Sequence, residues 1–285
     1  MCGRTAPRRR PQIADHKLQT ADRRSRNANP VNAVSNASVA GLISGATADS
    51  REPVLLAWSG GKDSALALDA LRAAGEVRVC GLITTVTAGY ERISMHGVRR
   101  TLLQAQAAAV GLPLIEARIP VHASNDSYEA AFAAALAPVR AAGVMHVAFG
   151  DLFLADIRAY RQRQLAALGM RALFPLWLRD TSALAREFIA RGFEAALVCV
   201  DPAKIAPSFA GRLFDMQLLH DLPSGADPCG ENGEFHTFVF NGPGFIRPVP
   251  IVVGPVVERE GYVFCDLTRG PEPELATQAG IPGRI

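Results

Sequence analysis

The chain has 285 residues, 49% of them hydrophobic and 20% charged, which is enough to bury a substantial core. No apolar run approaches the roughly 20 residues that a membrane-spanning helix requires. The formal charge of +3 is unevenly spread: residues 1–52 hold nine Lys/Arg against four Asp/Glu, and the rest hold 21 against 23, so the body carries no basic surplus for nucleic acid.

Residues 1–52 are rich in Arg, Asn, Ala and Ser and lack aliphatic periodicity, so they read as a disordered basic tail. Asp15, Asp22 and Asp49 argue against a transit peptide, and there is no secretory apolar region. Met1-Cys2-Gly3 resembles the opening of class II glutamine amidotransferases, and Met1-Cys2-Gly3-Arg4 that of the SRAP abasic-site proteins, in which an N-terminal cysteine is the nucleophile. A polar stretch this short does not supply the domain such chemistry needs. The five cysteines (2, 80, 199, 229 and 265) show no paired spacing. Cys80 and Cys199 lie in apolar runs and read as reduced core thiols, which predicts a cytoplasmic protein.

From residue 53 strand-like runs alternate with helical patterns, the signature of a parallel α/β sheet. Val54–Trp58 reads as a buried strand, Ser59-Gly60-Gly61-Lys62-Asp63-Ser64 as a turn, and Ala65–Leu71 as the helix behind it. Val77–Val86 is a second strand and Leu112–Ile119 a third, with a helix around Val98–Val110 between them, closed by Gly111. Asp126 and Glu129 have the spacing of a capping box, before a helix face of Tyr128, Phe132, Leu136 and Val139. Val144–Phe149 ends at Gly150-Asp151, followed by helices over about 156–168 and 181–191. Glu194–Val200 is another strand, ending at Asp201. Ligands of open α/β sheets sit beyond the carboxyl ends of the strands, so Ser59, Thr84–Thr87, Gly150-Asp151 and Asp201 are expected to converge on one cleft.

A strand, a glycine turn and a helix N-terminus make an anion site, because unpaired backbone N–H groups and the positive helix end face the same point. Lys62 adds a charge, and the Ser59 and Ser64 hydroxyls add donors. The spacing is not Walker A, since Leu56 stands five before Gly61 and Asp63 follows Lys62. Ser-Gly-Gly-x-Asp-Ser resembles the pyrophosphate loop (PP-loop) of the N-type ATP pyrophosphatases.

Residues 220–241 form the second constellation. A Gly/Pro loop carries Asp227, Glu231 and Glu234 into a strand, Phe235–Phe240, which bears His236 and Thr237. Crowded carboxylates repel unless they serve a cation, an amine or a proton transfer, although a solvated acidic turn has the same composition. Gly230-Glu231-Asn-Gly233-Glu234-Phe-His236-Thr237 resembles the signature of the diphthine–ammonia ligase family, a branch of the PP-loop ATPases. Ser94-Met95-His96, Gly150-Asp151, Pro175-Leu176-Trp177 and Gly192-Phe193 fall in that family's order, so the resemblance spans roughly residues 53–245. Members commonly carry a tyrosine and a further acidic residue where this chain has Phe235 and His236, which leaves the acceptor open.

The resemblance implies a Rossmann-like open parallel sheet with helices on both faces and a small β-rich C-terminal extension. It divides the chain into a tail (1–52), an ATP-binding domain (53–202), an acceptor segment (203–245) and the extension (246–285). It implies an enzyme that uses ATP and Mg²⁺ to adenylate a carboxylate acceptor, releasing pyrophosphate, and then amidates it with ammonia. ATP contacts are expected at Ser59, Gly60, Gly61, Lys62, Asp63, Ser64, Thr84, Gly150 and Asp151, with Asp63 also on the metal. Lys62, Glu231, Glu234 and His236 are expected to be catalytic, and His96 and Thr237 to meet the acceptor. In that family the acceptor is diphthine on elongation factor 2. Two rival readings remain: a nucleotide sensor without turnover, and a tRNA-modifying PP-loop enzyme, which would normally need the cysteine pair this chain lacks. Oligomeric state is not legible in the sequence.

Overall fold

The computed structural model describes residues 49–93 and 97–271. The tail up to residue 48 and the Ser94-Met95-His96 motif therefore lie outside the described residues. Two sheets organise the chain. In the first, β1 (Glu52–Ala57), β2 (Val77–Thr87), β4 (Leu114–Ile119), β5 (His146–Ala148) and β6 (Arg171–Leu173) run parallel. The short β3 (Arg92–Ile93) pairs antiparallel with the last residues of β2. The parallel strands lie in the order β4-β2-β1-β5-β6. After β1 the chain builds outward on one side, then returns to start β5 on the other. The switch point is thus between β1 and β5, where open α/β sheets place their ligands.

Helices cover both faces. Leu66, Leu68 and Leu71 of α1 (Lys62–Ala74) and Leu102, Leu103 and Ala107 of α2 (Arg100–Ala109) belong to one buried cluster. Phe132, Leu136 and Val139 of α3 (Asn125–Ala141) and Leu165 of α4 (Ala155–Ala167) belong to the other. The sheet residues divide accordingly, Leu82 facing the first cluster and Ile83 the second, as strand alternation requires. The cap of α3 differs from the expected box. Ser124, in extended backbone, accepts from the Ser127 N–H at 3.2 Å, so Ser124 and not Asp126 takes the capping role.

The second sheet is antiparallel, in the order β8-β7-β10-β9, built from β7 (Glu194–Val200), β8 (Phe235–Asn241), β9 (Ile251–Arg259) and β10 (Tyr262–Arg269). Helix α5 (Thr181–Ala190) leads into it, and the short α6 (Met216–Asp221) lies between β7 and β8. Strand β7 thus leaves the parallel sheet and pairs with β8 and with β10 of the C-terminal hairpin. Its buried, unbroken apolar run reads the same in either setting. Strand β8 is one of the two edges, and its Val239 N–H donates to the Gly60 carbonyl at 2.9 Å. The second sheet is thereby docked on the glycine turn of the first. Among the described residues no helix is long and apolar enough to cross a membrane.

Candidate active site

The turn after β1 works because two glycines meet two different demands. Gly60 has φ +80°, in the left-handed region, and Gly61 is packed so that a Cβ would stand 3.0 Å from the Thr237 carbonyl oxygen. Ser64 Oγ donates to the Gly61 carbonyl at 2.8 Å, and Gly61 N–H donates to Ser59 Oγ at 3.3 Å. Lys62 N–H donates to Thr237 Oγ1 at 3.0 Å, so a residue of β8 caps the first amide of α1. Thr84 is buried on β2, and the neighbouring Ile83 carbonyl accepts from Trp58 N–H at 2.8 Å, which sets Thr84 beside the strand that feeds the turn.

Gly150 closes the turn from the other side of the switch point. A Cβ there would lie 2.8 Å from the backbone carbonyl of Asp63, so only glycine lets the end of β5 rest on the start of α1. Asp151 does not cap α4, whose N-cap is Leu154. It pairs instead with Arg161, with Nε–Oδ2 at 2.6 Å. Asp201 turns back on its own loop, accepting from Ala203 N–H and pairing with Lys204 at 3.2 Å, while its N–H donates to the Glu234 carbonyl at 2.9 Å.

The glycine–glutamate segment packs against this cleft through backbone hydrogen bonds. Glu231 Oε1 accepts from Leu152 N–H at 2.8 Å, just beyond Gly150-Asp151, and Glu231 N–H donates to Asp227 Oδ2 at 2.8 Å. Glu234 is buried, and its Oε1 accepts from Asp227 N–H at 2.9 Å. Gly230, at φ +68°, sits where a Cβ would meet the Phe235 carbonyl oxygen at 2.8 Å. Thr237 lies with Phe235 on one face of β8, and alternation puts His236 on the opposite face.

Lys62 is 3% exposed, with Nζ 2.8 Å from Asp63 Oδ2 and 5.6 Å above the Phe235 ring. Burial opposes its charge, but the neighbouring carboxylates, Asp63 first, outweigh that and hold its pKa above the usual lysine value. Burial raises the Asp63 carboxyl, and Lys62 restrains the rise. Glu231 is pushed up to about 7, chiefly by burial, with the Leu152 N–H opposing and the Asp63 charge adding to the rise. Cys229, buried beside the same groups, is pushed up to about 12 by burial, with Lys62 working against it. It stays a thiol and offers no nucleophile.

Two carboxylate oxygens, Asp63 Oδ1 and Glu234 Oε2, are buried without a hydrogen-bond partner. Among the described residues no group of three or more His, Cys, Asp or Glu is set to cage a metal ion. The donor set fits Mg²⁺ held by one carboxylate together with phosphate oxygens, the way that ion is usually bound. Ser59, Gly60, Gly61, Lys62, Asp63, Ser64 and Thr237 meet at the turn, Gly150 packs on Asp63, Asp151 and Glu231 lie within electrostatic reach of Asp63, Thr84 lies on the neighbouring β2, and Glu234 joins them through Asp227. His96 lies outside the described residues.

One residue of this site escaped the sequence reading. Gln106 of α2 is fully buried; its Oε1 accepts from Trp58 Nε1 at 2.7 Å, and its Nε2 donates to the Gly60 carbonyl at 2.9 Å and to the Val239 carbonyl. A lone amide among the alanines and leucines of an otherwise apolar helix face was the available signal. It ties strand, turn and β8 together. Gln106→Leu strands a buried indole N–H and a carbonyl, so urea unfolding is expected to show a loss of about 2–4 kcal/mol. An unchanged midpoint would mean that the bridge carries no stability.

The fold and this cleft define a doubly wound α/β protein with its glycine turn at the switch point and an antiparallel sheet docked on that turn. Residues 53–172 match the family model of the diphthamide synthase N-terminal domain, and residues 180–270 that of the diphthamide synthase C-terminal domain. The chain belongs to the diphthamide synthase family. It is 35% identical over 104 residues to the diphthine–ammonia ligase of Danio rerio, covering 34% of this chain and 41% of that protein. It is 30% identical over 104 residues to the diphthine–ammonia ligase of Schizosaccharomyces pombe, covering 35% and 17%. The matches thus span less than half the length of these two relatives.

Proposed function

We propose that this chain is an ATP-dependent ligase that adenylates a carboxylate and amidates it with ammonia. The observation that carries the reading is that the Lys62–Asp63 pair lies within electrostatic reach of Glu231, whose partner Asp227 also holds Glu234, at the switch point. The family and its named relatives support it.

In this reading the turn at 59–64 and Lys62 hold the β and γ phosphates, Thr84 lines the adenosine, and Gly150-Asp151 bounds the nucleotide. Asp63 would hold Mg²⁺ through its unpartnered Oδ1, and the ion when bound neutralises phosphate charge. An acceptor carboxylate oxygen attacks the α-phosphorus, the bond to the α–β bridging oxygen breaks, and pyrophosphate leaves with the electron pair. Ammonia then attacks the acyl carbon, AMP departs from it, and the surplus N–H proton passes to the Glu231 carboxylate. Glu234 Oε2 orients the incoming nitrogen. Thr237 fixes the start of α1 and borders the acceptor. His96 is retained as an acceptor contact on its sequence motif alone. His236, on the other face of β8 from Thr237, receives no step. Phe235 and His236, in place of the family's tyrosine and acid, favour an acceptor other than diphthine. The described cysteines are free thiols, which favours the cytoplasm.

The test is product analysis with the full chain, Mg²⁺, ATP, ammonium and a pool of carboxylates. AMP and pyrophosphate that require both ammonium and one acceptor are expected. ADP and phosphate would overturn the reading, and ATP binding without any turnover would favour a sensor.

A further inference from the structure

The cleft is crowded with acids. Asp151 and Asp227 oppose the charge of Asp63, and Asp63 and Asp151 oppose that of Glu231, yet the acceptor of the proposed reaction is itself an anion. Two cations of the cleft are already committed: Lys62 to Asp63, and Arg161, lying over the Phe149 ring at 4.4 Å, to Asp151. Arg158, one turn earlier on α4, differs. Its guanidinium lies 4.5 Å from the Trp177 ring centroid and 5.1 Å from that of Phe174, and among the described residues it has no carboxylate partner. Ring faces hold such a group by its π surface and leave its in-plane N–H fork available, the geometry that takes a carboxylate by two hydrogen bonds. The bracket is rigid, since Phe149 stacks on Phe174 and Phe174 meets Trp177 edge-on.

The bracket is also next to the reacting groups. Leu178, adjacent to Trp177, donates its N–H to the Leu152 carbonyl at 2.7 Å, and the N–H of the same Leu152 donates to Glu231. Two residues, Leu178 and Leu152, link the aromatic bracket to the proposed base. We propose that Arg158, seated on Trp177 and Phe174, is the acceptor-recognition residue, binding a carboxylate group of the acceptor at the carboxyl ends of β5 and β6. This rests on the ligase reading for the identity of the anion. It also gives the Pro175-Leu176-Trp177 motif a role, as the platform for the guanidinium. A cationic ligand is disfavoured here because Arg158 already occupies the aromatic faces.

The experiment titrates glutarate into the full chain saturated with Mg²⁺ and α,β-methylene-ATP, which cannot release pyrophosphate, and reads binding by calorimetry. Saturable glutarate binding is expected, weakened about tenfold or more in Arg158→Gln, with nucleotide affinity kept within about twofold. Arg158→Lys keeps a cation and an aliphatic stem on the ring but loses the fork, so it should also weaken glutarate binding at unchanged melting temperature, which guards against a folding defect. Equal glutarate affinity in wild type and both variants would overturn the proposal, as would the absence of saturable binding to the wild type. If glutarate binds through Arg158 while no acceptor yields AMP, the ligase reading falls and the anion site stands.

Discussion

Lys62→Met is expected to reduce AMP and pyrophosphate release by about 10³-fold or more and to leave the chain folded. Lys62 brings an ammonium to the glycine turn, and its neighbouring carboxylates hold its pKa above the usual lysine value, so it is charged at neutral pH. Methionine can replace the aliphatic stem but not the ammonium, which lies 5.6 Å above the Phe235 ring and in the proposed reaction meets the phosphates. The substitution also removes the partner of Asp63, and a carboxylate left alone in partial burial is costly. Asp63 then titrates higher still, because Lys62 is what restrains its rise. The double variant Lys62→Met/Asp63→Asn should therefore recover stability lost in the single one without recovering turnover. Measured melting temperatures and product assays separate the two effects. Turnover in Lys62→Met within about tenfold of wild type would remove the lysine from the chemistry.

The turn itself was legible because it is local. A strand, two glycines and a helix start are contiguous from residue 54 to 71, and the spacing alone separates them from Walker A. Ser59 and Gly150-Asp151 follow adjacent parallel strands in the order β2-β1-β5, as expected, whereas Asp201, expected in the same cleft, follows β7 of the other sheet and pairs within its own loop. What could not be read is pairing across the chain. Asp151 is expected from the sequence to contact ATP, but its partner in the structure is Arg161, ten residues along on α4. Gln106 meets partners 48, 46 and 133 residues distant. Cys229 gave no spacing signal, yet it lies among Lys62, Asp63 and Glu231. The role of β7 depends on which strand it finds, and a fully buried strand carries no periodicity to say so.

The second large effect is a pH dependence with opposite signs in rate and stability. Glu231 titrates at about 7 in the folded protein against 4.5 for a free glutamate, with burial the main cause. In the proposed mechanism it accepts a proton in amide formation and must be ionised, so at fixed free ammonia the acceptor-dependent rate is expected to rise through pH 7 and level off above it. Glu231→Gln keeps an oxygen for the Leu152 N–H but cannot take a proton, and should lose that rising limb along with about 10²- to 10⁴-fold in rate. Stability runs the other way. Between pH 4.5 and 7 the folded protein holds the Glu231 proton more tightly than the unfolded chain does. The stabilisation is therefore complete below pH 4.5 and is lost as pH rises through 7, where the site must carry a buried charge. Glu231→Gln removes that charge, so at pH 8 it should melt higher than wild type, and the difference should vanish near pH 4.5. A variant that is slower and more stable at the same pH marks a residue kept charged for chemistry. If wild type shows a flat rate profile, or the variant melts lower at pH 8, the base is some other group.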